Sequence, residues 1–343
     1  MSDTLAVPAY RRTAAEALWA EVSSARTVAL CTHISADGDG CGSEVALARV
    51  LAQRGIDAYV VNPTPWPTMF AFLLGNDVRD RSAEGAAAIV RADRVVVLDI
   101  SDVTRLGTLA PAVRKHAAET LVIDHHLAGN EPPGKIALAD VAACATGELV
   151  YDFAVTIGAA ITEPIATALY TAILTDTGSF RFANTSPRCH AVAAELLRCG
   201  VDPEAMYRRV YASMPAGRLH LLREALETLE VDSAFGLSSI VIAAGALERH
   251  DVTGDELDGI ADYPRSVAGT RIAVLFRDLG HDRVKVSFRS TGDADVHALA
   301  RQFGGGGHAK ASGALITGSL ESVRAAVLGA AREVLGGKAQ SSK

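Results

Sequence analysis

The sequence predicts an α/β protein: an N-terminal domain with a mostly parallel sheet flanked by helices, a helical linker and a smaller C-terminal α/β domain. Three observations carry this. Short runs rich in Val, Ile and Leu alternate with amphipathic stretches over residues 25–178, the pattern of strands joined by crossover helices. The chain has 343 residues, too many for one small module and suited to two domains of ordinary size. Hydrophobic residues make up 49% and charged residues 21%, which supplies a substantial core and argues against disorder over most of the length.

Taken in order, residues 25–33 (ARTVALCTH) read as a strand, followed by a Gly/Asp-rich loop and a helix from residue 43. Residues 56–62, 91–100 and 119–126 read as further strands, the last two ending in Asp or His. Residues 147–158 and 164–178 have helical periodicity. From Pro203 to Glu230 the chain is helical and rich in Arg and Leu, with a break near Pro215. Beyond it, residues 235–245, 270–278 and 282–290 look like strands of one sheet, and residues 296–303 and 320–335 like its helices. The expected division is residues 1–202, a linker at 203–230, a second domain at 231–337 and a disordered tail at 338–343.

Several function classes are disfavoured. No apolar run approaches the ~20 residues of a membrane helix, and residues 1–20 lack a secretory signal pattern, so a soluble, cytoplasmic protein is expected. Cys31, Cys41, Cys144, Cys189 and Cys199 are odd in number and form no CxxC pair, which suggests neither a disulfide framework nor a thiolate zinc site. Net charge is -7, against the broad basic surface that a long nucleic acid wants. The acidic excess is concentrated in residues 1–235, with 20 Lys and Arg against 28 Asp and Glu. Residues 236–343 carry 13 against 12 and are free to attract phosphate.

Four motifs carry the candidate chemistry, each read as following an apolar strand: His33-x-x-x-Asp37-Gly-Asp39, Val-Val-Val-Leu-Asp99, Val-Ile-Asp124-His125-His126 and Ala-Ile-Leu-Thr-Asp176-Thr-Gly. In an open parallel sheet the carboxyl ends of strands border one crevice, so these residues are expected to converge. So many carboxylates would repel one another unless cations neutralise them. Oxygen ligands mixed with a few imidazoles and no thiolate suit Mn²⁺, with Mg²⁺ or Co²⁺ as alternatives. The ligand count suits two ions, which can activate water and clamp a phosphoryl group. In the C-terminal region Arg289-Ser290 ends a strand, and Phe303-Gly-Gly305-Gly306-Gly307-His308 follows a helix. Consecutive glycines can expose backbone N–H groups to a phosphate, and Arg289 and His308 can add specific contacts.

On these motifs the sequence resembles the DHH phosphoesterases with a C-terminal DHHA1 domain. The subgroup it resembles is the bacterial oligoribonuclease/pAp phosphatases, which include actinobacterial cyclic di-AMP phosphodiesterases. The resemblance runs from about Ala25 to about Leu335. The family's first motif is usually HxxPDGDAxGS; here Ala36 replaces the Pro and Gly40 the Ala, and neither change touches a ligand. The resemblance implies one ion on His33, Asp37 and Asp99, and a second on Asp39, Asp99, His125 and Asp176. Asp124 would orient a neighbouring imidazole, and His126 would face the substrate phosphate and protonate the leaving oxygen. Which His of the pair ligates is inherited from the resemblance alone. The resemblance also implies hydrolysis of cyclic di-AMP, pApA, nanoRNA of two to a few residues and pAp to 5′-mononucleotides, a DHHA1 domain that binds substrate through the GGGH motif, and a homodimer. Three alternatives stand beside it: an inorganic pyrophosphatase of the same superfamily, which lacks the GGGH loop; a RecJ-like single-strand exonuclease, which carries additional domains; and a non-catalytic nucleotide sensor, which would be expected to lose ligands.

Overall fold

The computed structural model describes residues 3–212, 215–254, 257, 259–307 and 309–337. The chain divides into two compact units, Met1–Ser213 and Met214–Lys343. None of the described helices is long and apolar enough to cross a membrane. His308 and the predicted tail at 338–343 lie outside the described residues.

Unit 1 contains six strands, β1 (Thr27–Cys31), β2 (Asp57–Val60), β3 (Arg79–Asp80), β4 (Arg94–Leu98), β5 (Thr120–Asp124) and β6 (Ile136–Ala139). They form one sheet in the order β3-β2-β1-β4-β5-β6, parallel throughout. Around it lie α1 (Ala9–Val22), α2 (Gly38–Ala52), α3 (Ala71–Leu74), α4 (Ala86–Arg91), α5 (Ala110–Lys115), α6 (Thr146–Thr156), α7 (Glu163–Asp176), α8 (Pro187–Arg198) and α9 (Pro203–Tyr211). Both sheet faces are covered, so the strands are apolar on both sides. Leu30, Val96, Leu98 and Ile123 join a core with residues of α2, α6 and α7. Ala29, Cys31, Val95 and Val97 join a second core with Ala88, Ile89 and Val113 of α4 and α5.

Two segments depart from the sequence reading. The Gly/Asp-rich segment expected as a loop is already the first turn of α2, which begins at Gly38 with Asp37 as its N-cap. Its glycines serve close packing: a Cβ on Gly38 would lie 2.4 Å from Thr175 Oγ1, and one on Gly42 would lie 2.4 Å from the Ala168 carbonyl oxygen, both on α7. The fourth motif follows a helix rather than a strand, because Asp176 is the last residue of α7. Pro164 in the first turn and a run of 14 residues suit a helix, and β-branched apolar residues there pack on α2.

A buried ion cluster fastens α1 to this unit. Arg11, 3% exposed, places Nη1 2.6 Å from Glu148 Oε1 and 2.9 Å from Asp152 Oδ2, and its Nε donates to Asp140 Oδ2 (2.6 Å). Arg188 of α8 contributes a second guanidinium, with Nε 3.0 Å from Glu148 Oε1 and a further pair to Asp152. Glu148 Oε2 in turn accepts from the Cys144 N–H (2.9 Å), which fixes the turn leading into α6.

Unit 2 opens with α10 (Ala216–Glu227) and contains β7 (Glu230–Asp232), β8 (Leu237–Ile242), α11 (Ala246–Arg249), α12 (Asp262–Arg265), β9 (Ile272–Asp278), β10 (Arg283–Ser290), α13 (Val296–Gln302), β11 (Gly306–Gly307), β12 (Ala311–Thr317) and α14 (Leu320–Gly337). Its sheet runs β11-β12-β10-β9-β8-β7, with β8 and β9 parallel and the other pairs antiparallel. Val284, Val286 and Phe288 alternate inward and pack with α13 and α14. The helices expected as a linker each join one core: Met206 of α9 packs in unit 1, and Leu221 and Ala225 of α10 pack in unit 2. The break at Pro215, which caps α10, falls beside the division between units.

Candidate metal centre

Adjacent parallel strands β1, β4 and β5 bring their carboxyl ends side by side. His33 lies just beyond β1, Asp99 follows β4, and Asp124 ends β5 with His125 and His126 behind it. The tight α2–α7 contact adds Asp39 from the first turn of α2 and Asp176 from the end of α7. Asp37 caps α2 by accepting from the N–H groups of Asp39 and Gly40, both at 3.1 Å. The loops carrying these groups are strained: Asp99 and Ser35 hold φ of 61° and 64°, where a side chain is disfavoured.

Six residues expected to ligate metal form two groups, His33 with Asp37 and Asp99, and Asp39 with His125 and Asp176, in each of which the ligand atoms lie within 4.8 Å of one another. A third combination is Asp99, His125 and His126. His33 Nδ1 lies 2.9 Å from the Ile34 carbonyl and His125 Nδ1 lies 3.3 Å from the Ala143 carbonyl. A carbonyl can only accept, so each Nδ1 carries a proton and each Nε2 is the nitrogen left to give its lone pair to a cation. Both Nε2 atoms are buried without a hydrogen-bond partner. His33 Nε2 faces Asp99 Oδ2 at 3.4 Å and Asp37 Oδ2 at 3.7 Å. His125 Nε2 faces Asp39 Oδ2 at 3.5 Å, Asp99 Oδ1 at 3.6 Å and Asp176 Oδ2 at 3.6 Å. Donors held about 2.0–2.2 Å from a cation at its usual angles lie about 3.0–3.6 Å apart, so these separations and this oxygen-and-imidazole set fit a divalent cation. Among the described residues no cysteine enters these groups.

The electrostatics show why a cation belongs here. Burial, together with the carboxylates of Asp99, Asp176 and Asp37, drives Asp39 well above the ordinary carboxylate range. Burial likewise pushes Asp176 up to about 6, with Asp99 and Asp37 adding to it against the pull of His125. At His33 burial opposes the imidazolium, but Asp37 and Asp99 outweigh it and raise the pKa to about 10. These are the signatures of anions crowded together with too little positive charge.

His126 is placed differently. Asp124, itself 2% exposed, receives His126 Nδ1 at 2.7 Å and the His126 backbone N–H at 3.2 Å. This contact raises the His126 pKa and fixes its ring. Of four supporting residues, Ser43 closes the first motif, whereas Thr146, Gly147 and Asn184 have no signal in the motifs. The Thr146 N–H donates to Asp39 Oδ2 (2.7 Å), the Gly147 N–H to Asp39 Oδ1 (2.9 Å) and Ser43 Oγ to Asp39 Oδ1 (3.2 Å). Thr146 Oγ1 donates to Asp99 Oδ1 (3.0 Å), and Asn184 Nδ2 donates to Asp176 Oδ2 (3.1 Å). The signal available was positional: Thr146 and Gly147 open a helix, where free N–H groups attract carboxylates.

In unit 2, Arg289 and Ser290 end β10, and Arg289 pairs across β12 at Ala311 while Gly307 pairs at Ser312. The sheet therefore brings Arg289, Ser290, Gly306 and Gly307 to one end. The glycine run is less open than expected. Gly304 and Gly305 donate their N–H groups to Arg301 and Ala300 carbonyls (3.2 and 2.9 Å), closing α13, and Gly306 and Gly307 form a strand. A Cβ on Gly305 would lie 2.2 Å from the Gly313 carbonyl oxygen, so the hairpin itself requires glycine there. Ser290 is buried and its hydroxyl donates to the Ala294 carbonyl (2.8 Å), holding the turn after β10. Arg289 remains partly exposed, with Nε 3.6 Å from Asp262 Oδ1.

Residues 27–173 match the DHH family, N-terminal domain, and residues 238–337 match the DHHA1 domain. The chain is 32% identical over 308 residues to the bifunctional oligoribonuclease and PAP phosphatase NrnA of Thermus thermophilus, covering 89% of each protein. It is 26% identical over 297 residues to the Bacillus subtilis protein of the same name, covering 84% of this chain and 89% of that one. Among solved structures, an exopolyphosphatase-related protein from Bacteroides fragilis superposes with a TM-score of 0.84 at 25% identity, over 97% of this chain and 98% of that one. RecJ of Thermus thermophilus, in complex with Mn²⁺, shares the fold with a TM-score of 0.55 at 14% identity, over 97% of this chain and 56% of its own. With both domains matched and a relative 32% identical over 89% of the chain, the chain belongs to the DHH phosphoesterases that carry a DHHA1 domain.

Proposed function

We propose that this chain is a cytoplasmic Mn²⁺-dependent phosphodiesterase and phosphatase. Its substrates would be nanoRNA of two to a few residues, pApA, cyclic di-AMP and pAp, cleaved to 5′-mononucleotides. The names of its relatives support the oligoribonuclease and PAP phosphatase parts. Cyclic di-AMP, the choice of Mn²⁺ over Mg²⁺ or Co²⁺ and a homodimer rest on the family resemblance described above. The observation that carries the reading is the pair of orphaned, buried imidazole nitrogens, each aimed into carboxylates at cation spacing.

His33, Asp37 and Asp99 would hold one ion, and Asp39, Asp99, His125 and Asp176 the other, with Asp99 shared. His125 suits the ligand role because its Nε2 faces three carboxylates, whereas His126 Nδ1 is committed to Asp124. When bound, such ions supply Lewis acidity toward phosphoryl oxygens and lower the pKa of a water nucleophile. Thr146, Gly147 and Ser43 hold Asp39 in place, so its carboxylate is preorganised. His126, half-exposed and with its protonated form favoured by Asp124, would give its Nε2 proton to the departing ribose oxygen. In unit 2, Arg289 with Gly305, Gly306, Gly307 and His308 would bind the rest of the nucleotide, and Ser290 would act by holding the turn beside Arg289.

The test is a comparison of kcat/KM for pApA, cyclic di-AMP, a ribodinucleotide, pAp, pyrophosphate and a long single strand, with Mn²⁺ and after EDTA. Activity should vanish with EDTA, return best with Mn²⁺ and favour the short nucleotides. Preference for pyrophosphate or the long strand, or full activity in excess EDTA, overturns the proposal.

A further inference from the structure

The loop between Asp176 and α8 is built more tightly than a connection requires. Thr177 Oγ1 donates to the Ile173 carbonyl (2.6 Å) and accepts from the Phe180 N–H (3.1 Å). The N–H groups of Arg181 and Phe182 converge on the Thr177 carbonyl at 2.9 and 3.0 Å. Three consecutive residues, Gly178, Ser179 and Phe180, hold φ of 55°, 60° and 62°, a conformation that residues with side chains adopt only when their surroundings impose it. The Phe180 ring anchors the loop between Tyr170 and His190, at centroid distances of 6.0 and 5.3 Å. Asn184 Nδ2 donates to the Cys144 carbonyl (2.8 Å) as well as to the Asp176 carbonyl and carboxylate (both 3.1 Å). The loop is thereby bolted to one of the metal-site carboxylates.

Two side chains of this rigid loop point their chemistry outward. Phe182 is 57% exposed. Its ring lies on Gly178, where a Cβ would fall 2.4 Å from Cζ, so only glycine lets the ring rest there. Arg181 donates from Nε to the Gly178 carbonyl (2.6 Å), and its terminal nitrogens meet no partner among the described residues. A single exposed phenylalanine is ordinary on a protein surface. One held on a strained loop, next to a guanidinium with free terminal nitrogens and tied to Asp176, has the makings of a recognition platform. An aromatic face with a neighbouring guanidinium is suited to a nucleobase and its phosphate.

We propose that Phe182 stacks against a base of the substrate and that Arg181 pairs with a phosphate next to the one being cleaved. This rests on the reading of the protein as a nucleotide hydrolase and deepens it. Every base has a π-face, so a phenylalanine platform selects for nucleotides without selecting among sequences. The substrate class is therefore short oligonucleotides of any base composition, with base-free phosphodiesters disfavoured.

The experiment uses the full chain with Mn²⁺, pApA, pUpU and an abasic analogue of pApA. Base–aromatic stacking corresponds to about a 5- to 150-fold effect. Phe182→Ala should lose that factor in kcat/KM on pApA and pUpU and lose nothing on the abasic analogue, with an unchanged melting temperature. Phe182→Trp should retain activity, and its added fluorescence should be quenched by AMP and not by ribose 5-phosphate. Arg181→Ala should weaken pApA about tenfold more than unphosphorylated ApA. Equal loss on pApA and the abasic analogue, or no loss on either, overturns the stacking role. Equal loss on pApA and ApA overturns the role of Arg181. The quenching arm needs no turnover: quenching without hydrolysis would sink the hydrolase reading and keep the platform, whereas hydrolysis without quenching would sink the platform alone.

Discussion

In unit 1 the groups proposed for chemistry sit within a web of fixed donors: Asp39 alone accepts from Thr146, Gly147 and Ser43 and is 1% exposed. In unit 2 the groups proposed for binding lie at one end of a sheet, where Arg289 is partly exposed and the hairpin strand at Gly306–Gly307 is two residues long. Buried carboxylates that cannot reach water must be neutralised, so the first arrangement tolerates little change. A partly solvated phosphate-binding edge loses contacts one at a time. Damage to unit 1 should therefore be close to all-or-nothing, and damage to unit 2 graded.

The largest effect should come from Asp99→Asn. Asp99 faces both His33 and His125, so its loss removes the shared carboxylate of both proposed ion sites. A drop in kcat of at least about a thousandfold is expected. Asp124→Asn, which disturbs the orientation and the proton affinity of His126, should cost about 10- to 100-fold. Circular dichroism of both variants would confirm folding, and near-wild-type activity in Asp99→Asn would break the contrast between units. An effect smaller than that of Asp99→Asn is expected from His308→Ala: about a 10- to 150-fold loss of kcat/KM on pApA, with hydrolysis of a minimal aryl phosphodiester largely intact. Equal abolition of both reactions would move His308 into the catalytic centre.

The smallest effect concerns protons. Without metal, His33 with its pKa of about 10 and Asp176 with its pKa of about 6 hold protons that a cation must displace. Mn²⁺ binding should therefore release protons and tighten as pH rises, most steeply below pH 6, by up to about tenfold per pH unit for each proton displaced. Calorimetry in buffers of different ionisation enthalpy reads the number released. No release at pH 6 would show that these groups are not ligands.

Much of this was legible from residues alone. Strand-end Asp and His residues are poor core material, and their spacing pointed to convergence before any geometry was available. What escaped was backbone and packing. Thr146 and Gly147 hold Asp39 through N–H groups that every residue has, so no side-chain type announces them. Gly38 and Gly42 read as loop residues because glycine is ambiguous between flexibility and close approach, and only the neighbouring α7 shows which applies. The helical periodicity of residues 164–178 agrees with α7, and it is the grouping of Asp176 with the strand-end motifs that the structure corrects. The pairing of Gly306–Gly307 with β12 depends on a contact that glycine does not encode.

The Arg11 cluster has a consequence for the order in which this protein can be made. Arg11 meets Asp140, Glu148 and Asp152 across separations of 129, 137 and 141 residues. A ribosome adding about 5–20 residues per second leaves that guanidinium waiting on the order of ten seconds for its partners. Throughout that interval Leu18 and Val22 of α1, fully buried in the finished protein, have no completed core to enter. The β1–β4 pairing can form early, but the ion cluster stays incomplete until Arg188 has left the exit tunnel. Slow translation of residues 140–190 would lengthen the exposure of α1, making that stretch a sensitive point for yield in a cell.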